Sequence, residues 1–455
     1  MDGLLETGKR PLRTREPRPP TARQSIRPAS TLKHRDPNGL HWPRVNPQAG
    51  AQPRSPSADV LGIATYLASS WTWCIGMFLP VLLVRDLGLW AFLVFAIPNC
   101  AGAALMGWVL RRPGASEALV ASHRSACVWF SRITVAFHAF FLMWMVQRTG
   151  VGWAVIAGFI TNLLTGALAA WRNWPGWAPA ALTYAASVAA AGVMAWSGSL
   201  GADIPSDPLL PVADLFWLAP VCVFGFVFCP YLDLTFHEAR RVLPGPAGTR
   251  AFVAGFGGFF LIMIVLTLAY AGMFLRTDPS LGLDPSAGPL AATLATVSVA
   301  ALVIHLSAQS AFTMQLHLGM IAGARTAPRR GIDLVTALVA AVAMITGICA
   351  SLIPAVGGFF TNLPPVSGGE AVYRSFMAFY GLVFPAYVWI CMLPMTGEAA
   401  RARLPRRRVL AFAAAVGIAA PMFYMGFIER QTLWLGPGLG VVLAARWLAR
   451  PPKAA

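Results

Sequence analysis

The sequence predicts an all-α polytopic membrane protein of about twelve transmembrane helices. Three observations lead there. Of the 455 residues 57 % are hydrophobic and only 12 % are charged, against about 25 % charged in an ordinary soluble domain. Twelve windows are long and apolar enough to cross a bilayer core, which takes about 20 residues of helix. Basic residues alternate with those windows. A cytosolic enzyme, a secreted disulfide scaffold and a disordered chain are excluded, because none could hide that much apolar surface. Short strands of alternating pattern are absent, which excludes a β-barrel.

The chain divides into a tail, 1–57, and a membrane domain, 58–450. The tail carries ten prolines, eleven Lys/Arg and four Asp/Glu. Such a segment reads as disordered, basic and cytoplasmic. It lacks the apolar core of a secretory signal. The windows follow at 59–84, 87–110, 120–147, 150–170, 176–197, 212–237, 250–275, 289–322, 332–354, 372–395, 408–428 and 432–449. With the N-terminus placed in the cytoplasm, 29 of the 35 basic residues fall on the cytoplasmic side. This satisfies the positive-inside rule and puts both termini inside. The net charge of +17 therefore reports membrane topology and not nucleic-acid binding. The expected location is a bacterial inner membrane. Trp90, Trp108, Trp171, Trp174, Trp177, Trp434 and Trp447 lie near span ends, as interfacial anchors do.

Spans 1 and 6 are interrupted. Span 1 is polar at its middle (Ser69, Ser70, Thr72) and carries Gly76 and Pro80. Span 6 carries Gly225 and Pro230 and continues through Tyr231, Asp233, His237 and Glu238. Proline removes a helix donor and clashes with the preceding turn, and in lipid the freed groups must face protein or a cavity. The two spans are five apart, so they enter from opposite sides. This predicts a 5+5 inverted repeat, about 59–197 and 212–395, with two appended helices over 408–449. Paired broken helices point to a transporter's central site.

Individual residues sharpen the expectation. Arg132 falls near the middle of span 3, where an ionisable group needs a partner or a function. Asp233 and Glu238 are its nearest candidates by depth, as an ion pair or gate. Asp233 is also a candidate cation or proton ligand. His138 in span 3 and His305 in span 8 are the candidates for proton coupling. Trp71, Trp73, Phe226, Phe228 and Tyr231 can stack on a solute. Gly255, Gly257 and Gly258 predict close helix packing. Seven cysteines form no CxxC or Cys/His cluster and read as buried thiols. No P-loop, HExxH or GxSxG occurs, so neither an ATP-driven pump nor a membrane hydrolase is indicated, and no enzyme is expected.

The broken first and sixth spans, the segment Ser-Ser-Trp-Thr-Trp-Cys-Ile-Gly-Met (69–77), the segment Ala-Ile-Pro-Asn-Cys-Ala-Gly-Ala-Ala-Leu-Met-Gly (96–107), Tyr-Leu-Asp-Leu-Thr-Phe-His-Glu-Ala-Arg (231–240) and Ser-Ala-Phe-Thr-Met (310–314) together resemble the sodium:solute symporters. These belong to the amino acid–polyamine–organocation superfamily, with the LeuT-like fold. The resemblance implies cation-coupled symport of a small polar solute by alternating access, with sodium as coupling ion and no other cofactor. It implies a substrate site at Ser70, Thr72, Trp73, Phe228, Tyr231, Asp233 and His138. It implies a sodium site built from the carbonyls of Tyr66 and Ser69 with the hydroxyls of Ser307 and Ser310; Thr313 continues that sector of span 8. The family's adjacent hydroxyl pair is here two serines three residues apart. Proton coupling, or a non-transporting sensor or partner subunit of the same shape, are the alternatives. A monomer suffices for the pathway.

Overall fold

Residues 56–148, 151–170, 177–197, 207–275, 288–323, 332–393 and 404–449 are described by a computed structural model. The basic tail, Trp171, Trp174 and several loop arginines lie outside the described residues. Among those described the chain is helical, with one isolated bridge between Val356 and Val366.

Eight helical segments are long and apolar enough to cross a membrane, and a ninth is made if one bent pair counts as a single span. The bent pair is α1 (Pro56–Trp71) and α2 (Cys74–Leu87), at 60° to each other. Then come α3 (Trp90–Val109), α4 (Ala115–Gln147), α5 (Val151–Ala170) and α6 (Trp177–Trp196). After them α7 (Leu215–Phe228) meets α8 (Leu234–Val242) through a 3-10 turn, Cys229–Leu232. The next apolar segment is α9 (Gly245–Ala254), a π-helical turn Gly255–Phe260, α10 (Leu261–Val265) and α11 (Thr267–Leu275). The set closes with α12 (Gly288–Gly323), α13 (Leu334–Ile348), α14 (Gly368–Tyr387), α15 (Arg406–Phe427) and α16 (Leu435–Leu448).

Each of the twelve expected windows holds helix among its described residues, but those at 150–170, 332–354 and 432–449 do not pass as spans. Helix α13 has 15 residues, roughly 22 Å of rise, against a hydrocarbon core of about 30 Å. The segment 432–448 is likewise short.

Helices begin where their sequence satisfies the first free N–H groups. Asp333 accepts from the Thr336 amide at 2.8 Å to cap α13. Ser367 accepts from the Glu370 amide at 3.4 Å to cap α14. Asp233 accepts from the Thr235 amide at 2.7 Å to cap α8.

The long helices α4 and α12 pack on each other and form the spine. Helix α4 also packs on α13, and α12 on α5 and α6. Helix α1 packs on α6 and α9, while α7 packs on α14 and α3. Gly255 allows the α1 contact: a Cβ there would sit 2.9 Å from the Ala64 carbonyl oxygen. Gly257 and Gly258 face open space, so the packing role expected of three glycines falls to one. The seven cysteines are free thiols, most of them buried.

Candidate functional site

Span 1 breaks at Thr72 and Trp73, ahead of Gly76 and Pro80, which both lie inside α2. Side chains terminate α1. The Thr72 hydroxyl donates to the Ala68 carbonyl at 2.8 Å, and the Trp73 indole donates to the Ser70 carbonyl at 2.5 Å. The Thr72 amide also donates to Ala68, and the Trp73 amide to Trp71. A helix end leaves its last four carbonyls without intrahelical donors, and these bonds serve three of them, Ala68, Ser70 and Trp71. Span 6 breaks at the 3-10 turn, with Asp233 extended (φ −79°, ψ 110°). Pro230 lies within that turn, while Gly225 is five residues upstream in α7.

Trp73 occupies the centre and is 2 % exposed. Ring centroids of Trp71, Phe130, His317, Tyr380 and His138 surround it at 4.5, 5.2, 5.5, 5.9 and 6.3 Å. Trp71 donates to the Asn99 side chain at 2.7 Å. Tyr380 and Thr134 share a hydroxyl hydrogen bond of 2.9 Å.

Buried polar atoms on four spans stand without a hydrogen-bond partner among the described residues. They are the Tyr66 hydroxyl on α1, His123 and His138 Nε2 on α4, Asp233 Oδ2 at the span 6 break, and on α12 His305 Nδ1, Gln309 Oε1, the Ser307, Ser310 and Thr313 hydroxyls and His317 Nε2; of these His138 and His317 meet the Trp73 ring. The great majority of buried polar atoms in proteins are partnered, so these atoms hold hydrogen-bonding capacity that the described residues do not meet. On α12, Ser307, Ser310, Thr313 and His317 share one sector at three- and four-residue steps, and Phe312 meets the Tyr66 ring edge-on at 6.4 Å. The two imidazoles at Trp73 are oriented by their other nitrogen. His138 Nδ1–H donates to the Thr134 carbonyl at 2.8 Å, and His317 Nδ1 is bonded to the Ser131 hydroxyl at 3.0 Å. His138 Nε2 is therefore a lone-pair acceptor in the neutral ring.

Other expected site residues are arranged differently. The Ser69 hydroxyl donates to the Ala180 carbonyl at 3.1 Å, and the Ser70 hydroxyl to Leu67 at 3.0 Å. Phe228 turns away from the break and packs on Phe224 and Trp389 at 5.0 and 5.7 Å. Phe226 packs on Phe95 at 5.2 Å. Tyr231 is buried, and its carbonyl accepts from His237 Nε2 at 2.9 Å. His305 faces Tyr270 at 5.7 Å.

Arg132 corrects an expectation. Its partner is neither Asp233 nor Glu238. It reaches outward to Asp333 at 3.4 Å and Thr336 at 3.2 Å at the start of α13, and lies 4.9 Å over the Trp129 ring. Glu238 pairs with Arg241 one turn away. Depth along a span does not fix azimuth, and Arg132 lies on the α13 side of α4.

A four-member ion network sits where α2 ends and α14 begins. Arg85 holds Glu370 with two bonds, 2.6 and 2.9 Å, and Asp86 at 2.8 Å; Arg374 holds Glu370 at 2.7 Å and also bonds Asp86. Below it lies a slot between α2, α7 and α14. Leu79, Leu83, Val221 and Met377 line the slot, with Trp71 and Trp73 among its deeper residues. His317 and this network are the parts that sequence reasoning missed. The signals were present: His317 follows Ser310 by two helical turns, and Glu370 and Arg374 are an i, i+4 pair.

No protein-family model matches the sequence, and comparison with curated proteins finds no match.

Proposed function

We propose that the chain is a secondary active transporter that couples a cation, sodium, to the movement of a small solute by alternating access. The observation that carries this reading is the set of unpartnered buried polar atoms gathered from both broken spans and from α4 and α12. Hard cations take oxygen ligands, and unwound carbonyls with hydroxyls supply them in discontinuous membrane helices. The Ser307 and Ser310 hydroxyls with the Ser69 carbonyl would supply such a set. Tyr66 would add its carbonyl, and its hydroxyl is without a partner among the described residues.

Packing supports a 5+5 inverted repeat of twelve spans. Exchange span 1 with 6, 2 with 7, 3 with 8, 4 with 9 and 5 with 10. The contact of α1 with α6 then becomes that of α7 with α14. The contact of α1 with α9 becomes that of α7 with α3, and that of α4 with α13 becomes that of α12 with α5. In this reading α1, α4, α8 and α12 close the cytoplasmic half around Trp73, and the apolar slot is the remnant of the outer pathway. The protein works as a monomer in a bacterial inner membrane, with its termini in the cytoplasm.

Asp233 Oδ2 and the two imidazole Nε2 atoms favour one second reading, in which the coupling ion is a proton. Thermal unfolding of the purified protein in sodium chloride against choline chloride, at fixed ionic strength, separates the two. A ligand at 100 times its dissociation constant adds about 2.7 kcal/mol. Sodium-specific stabilisation that Ser310→Ala loses is the expected result. Equal melting in both salts, for the wild-type chain, overturns sodium coupling.

A further inference from the structure

The slot between α2, α7 and α14 is walled by apolar groups. Trp71, Trp73, Phe226, Tyr380 and Phe427 contribute rings to it, and among the described residues no charged side chain lines it. Only three of the lining side chains carry a nitrogen or an oxygen, and each of these atoms is already bonded. The Trp71 indole donates to Asn99, the Trp73 indole donates to the Ser70 carbonyl, and the Tyr380 hydroxyl shares a bond with Thr134. The Cys229 thiol donates to the Tyr380 carbonyl at 3.6 Å. Charges stand one helical turn beyond the walls and hold one another. Asp86 follows Leu83, Arg374 precedes Met377, and the two are bonded to each other. Arg374 also donates to the Phe427 carbonyl at 3.2 Å. None of the residues with an unpartnered buried polar atom lines the slot.

Two glycines distinguish the slot from a gap left by ordinary packing. Gly225 of α7 and Gly381 of α14 both line it. Neither has the left-handed backbone that would call for glycine. Close packing does not call for it either. A Cβ on Gly225 would find nothing nearer than the Gly381 Cα at 3.9 Å, and one on Gly381 would make ordinary contacts from 3.6 Å outward. At Gly255 the same addition meets a carbonyl oxygen at 2.9 Å. Within a helix glycine is the poorest residue after proline, so what these two positions supply is the space itself. An ion entering that space would lose its hydration and gain no partner. Rings on the walls suit another ring, through edge-on and offset contacts.

We infer that the slot is the binding site of an uncharged aromatic solute, with Gly225 and Gly381 keeping room for its ring. Such a solute departs from the polar one that the sequence resemblance implies. That the occupant is transported rests on the transport reading; that the slot binds it does not. The test is equilibrium binding of radiolabelled indole to the purified full chain in sodium chloride. Saturable binding is expected, displaced by unlabelled indole and by naphthalene. Tryptophan, the same ring carrying an ammonium and a carboxylate, is expected not to displace it at equal concentration. Gly225→Met is expected to abolish binding, and Gly225→Ala to weaken it about tenfold. Gly440→Met, on an exposed face of α16 with no atom near its Cβ, is expected to bind as the wild type does. Should Gly225→Met not fold, Gly225→Ala decides, because its methyl enters open space. The inference is overturned by absence of saturable binding to the wild-type chain, by full binding to Gly225→Ala, or by equal displacement with tryptophan. It is also overturned if Gly440→Met loses binding as Gly225→Met does. Indole binding without sodium binding keeps the slot and removes cation coupling; sodium binding without indole binding does the reverse.

Discussion

Glu370 is the residue on which the ion network between α2 and α14 turns. Its two oxygens meet Arg85 and Arg374, and both arginines also meet Asp86. Asp86, Glu370 and Arg374 are buried. Removing one member of such a network strands the others. Glu370→Gln should therefore destabilise the protein by about 3–5 kcal/mol, measured by unfolding in mixed micelles. Arg132 and Asp333 should behave differently, since their side chains are 18 % and 21 % exposed. A double-mutant cycle between them should give a coupling below about 1 kcal/mol, and Arg132 paired with Asp233 should give none. At this scale the sequence announced which residue types were costly in a membrane but not where they point. Arg132 was legible as a residue needing a partner. The partner was not, because helical azimuth is decided by which neighbour α4 presents that face to, and that neighbour is α13.

Among elements, the two breaks were legible and their positions were displaced. Prolines and glycines suggested interruptions at Pro80 and Pro230. The first falls at Thr72–Trp73 because side chains there take up the last carbonyls of α1; the second includes Pro230 but is completed by Asp233, which caps the next helix. Hydrogen bonds between side chains and carbonyls carry no periodic signal, so the sequence shows the breaker more readily than the break. The π-helical turn over Gly255–Phe260 is a second element that glycine spacing suggested only as packing. Its three glycines give an internal control. Gly255→Ala places a Cβ 2.9 Å from the Ala64 carbonyl oxygen and should cost about 1–3 kcal/mol, the range for overpacking. Gly257→Ala faces open space and should be neutral or stabilise by up to about 1 kcal/mol. Melting curves of the two variants decide it, and equal destabilisation would refute the packing role given to Gly255.

For the whole molecule, the apolar windows fixed a helical membrane protein because water cannot solvate so much hydrocarbon and lipid cannot solvate a bare backbone. The count of spans was less legible, since α13 is apolar but short and gains its place from packing on α4. The candidate residues were legible in part. Ser307, Ser310, Asp233 and His138 each carry a buried polar atom without a partner among the described residues, whereas Phe228 packs on Phe224 and Trp389 and His317 meets Trp73. What unites the polar ones is an unmet hydrogen-bonding capacity, a property of the assembled bundle and of no single span. In the proposed function a cation fills that capacity at α1 and α12. Equilibrium binding of radioactive sodium to the purified chain tests it most directly. Saturable binding is expected, displaced by unlabelled sodium and not by choline, and lost on Ser310→Ala while the variant still folds. Absence of saturable binding to the wild-type chain, or full binding to the variant, would contradict it.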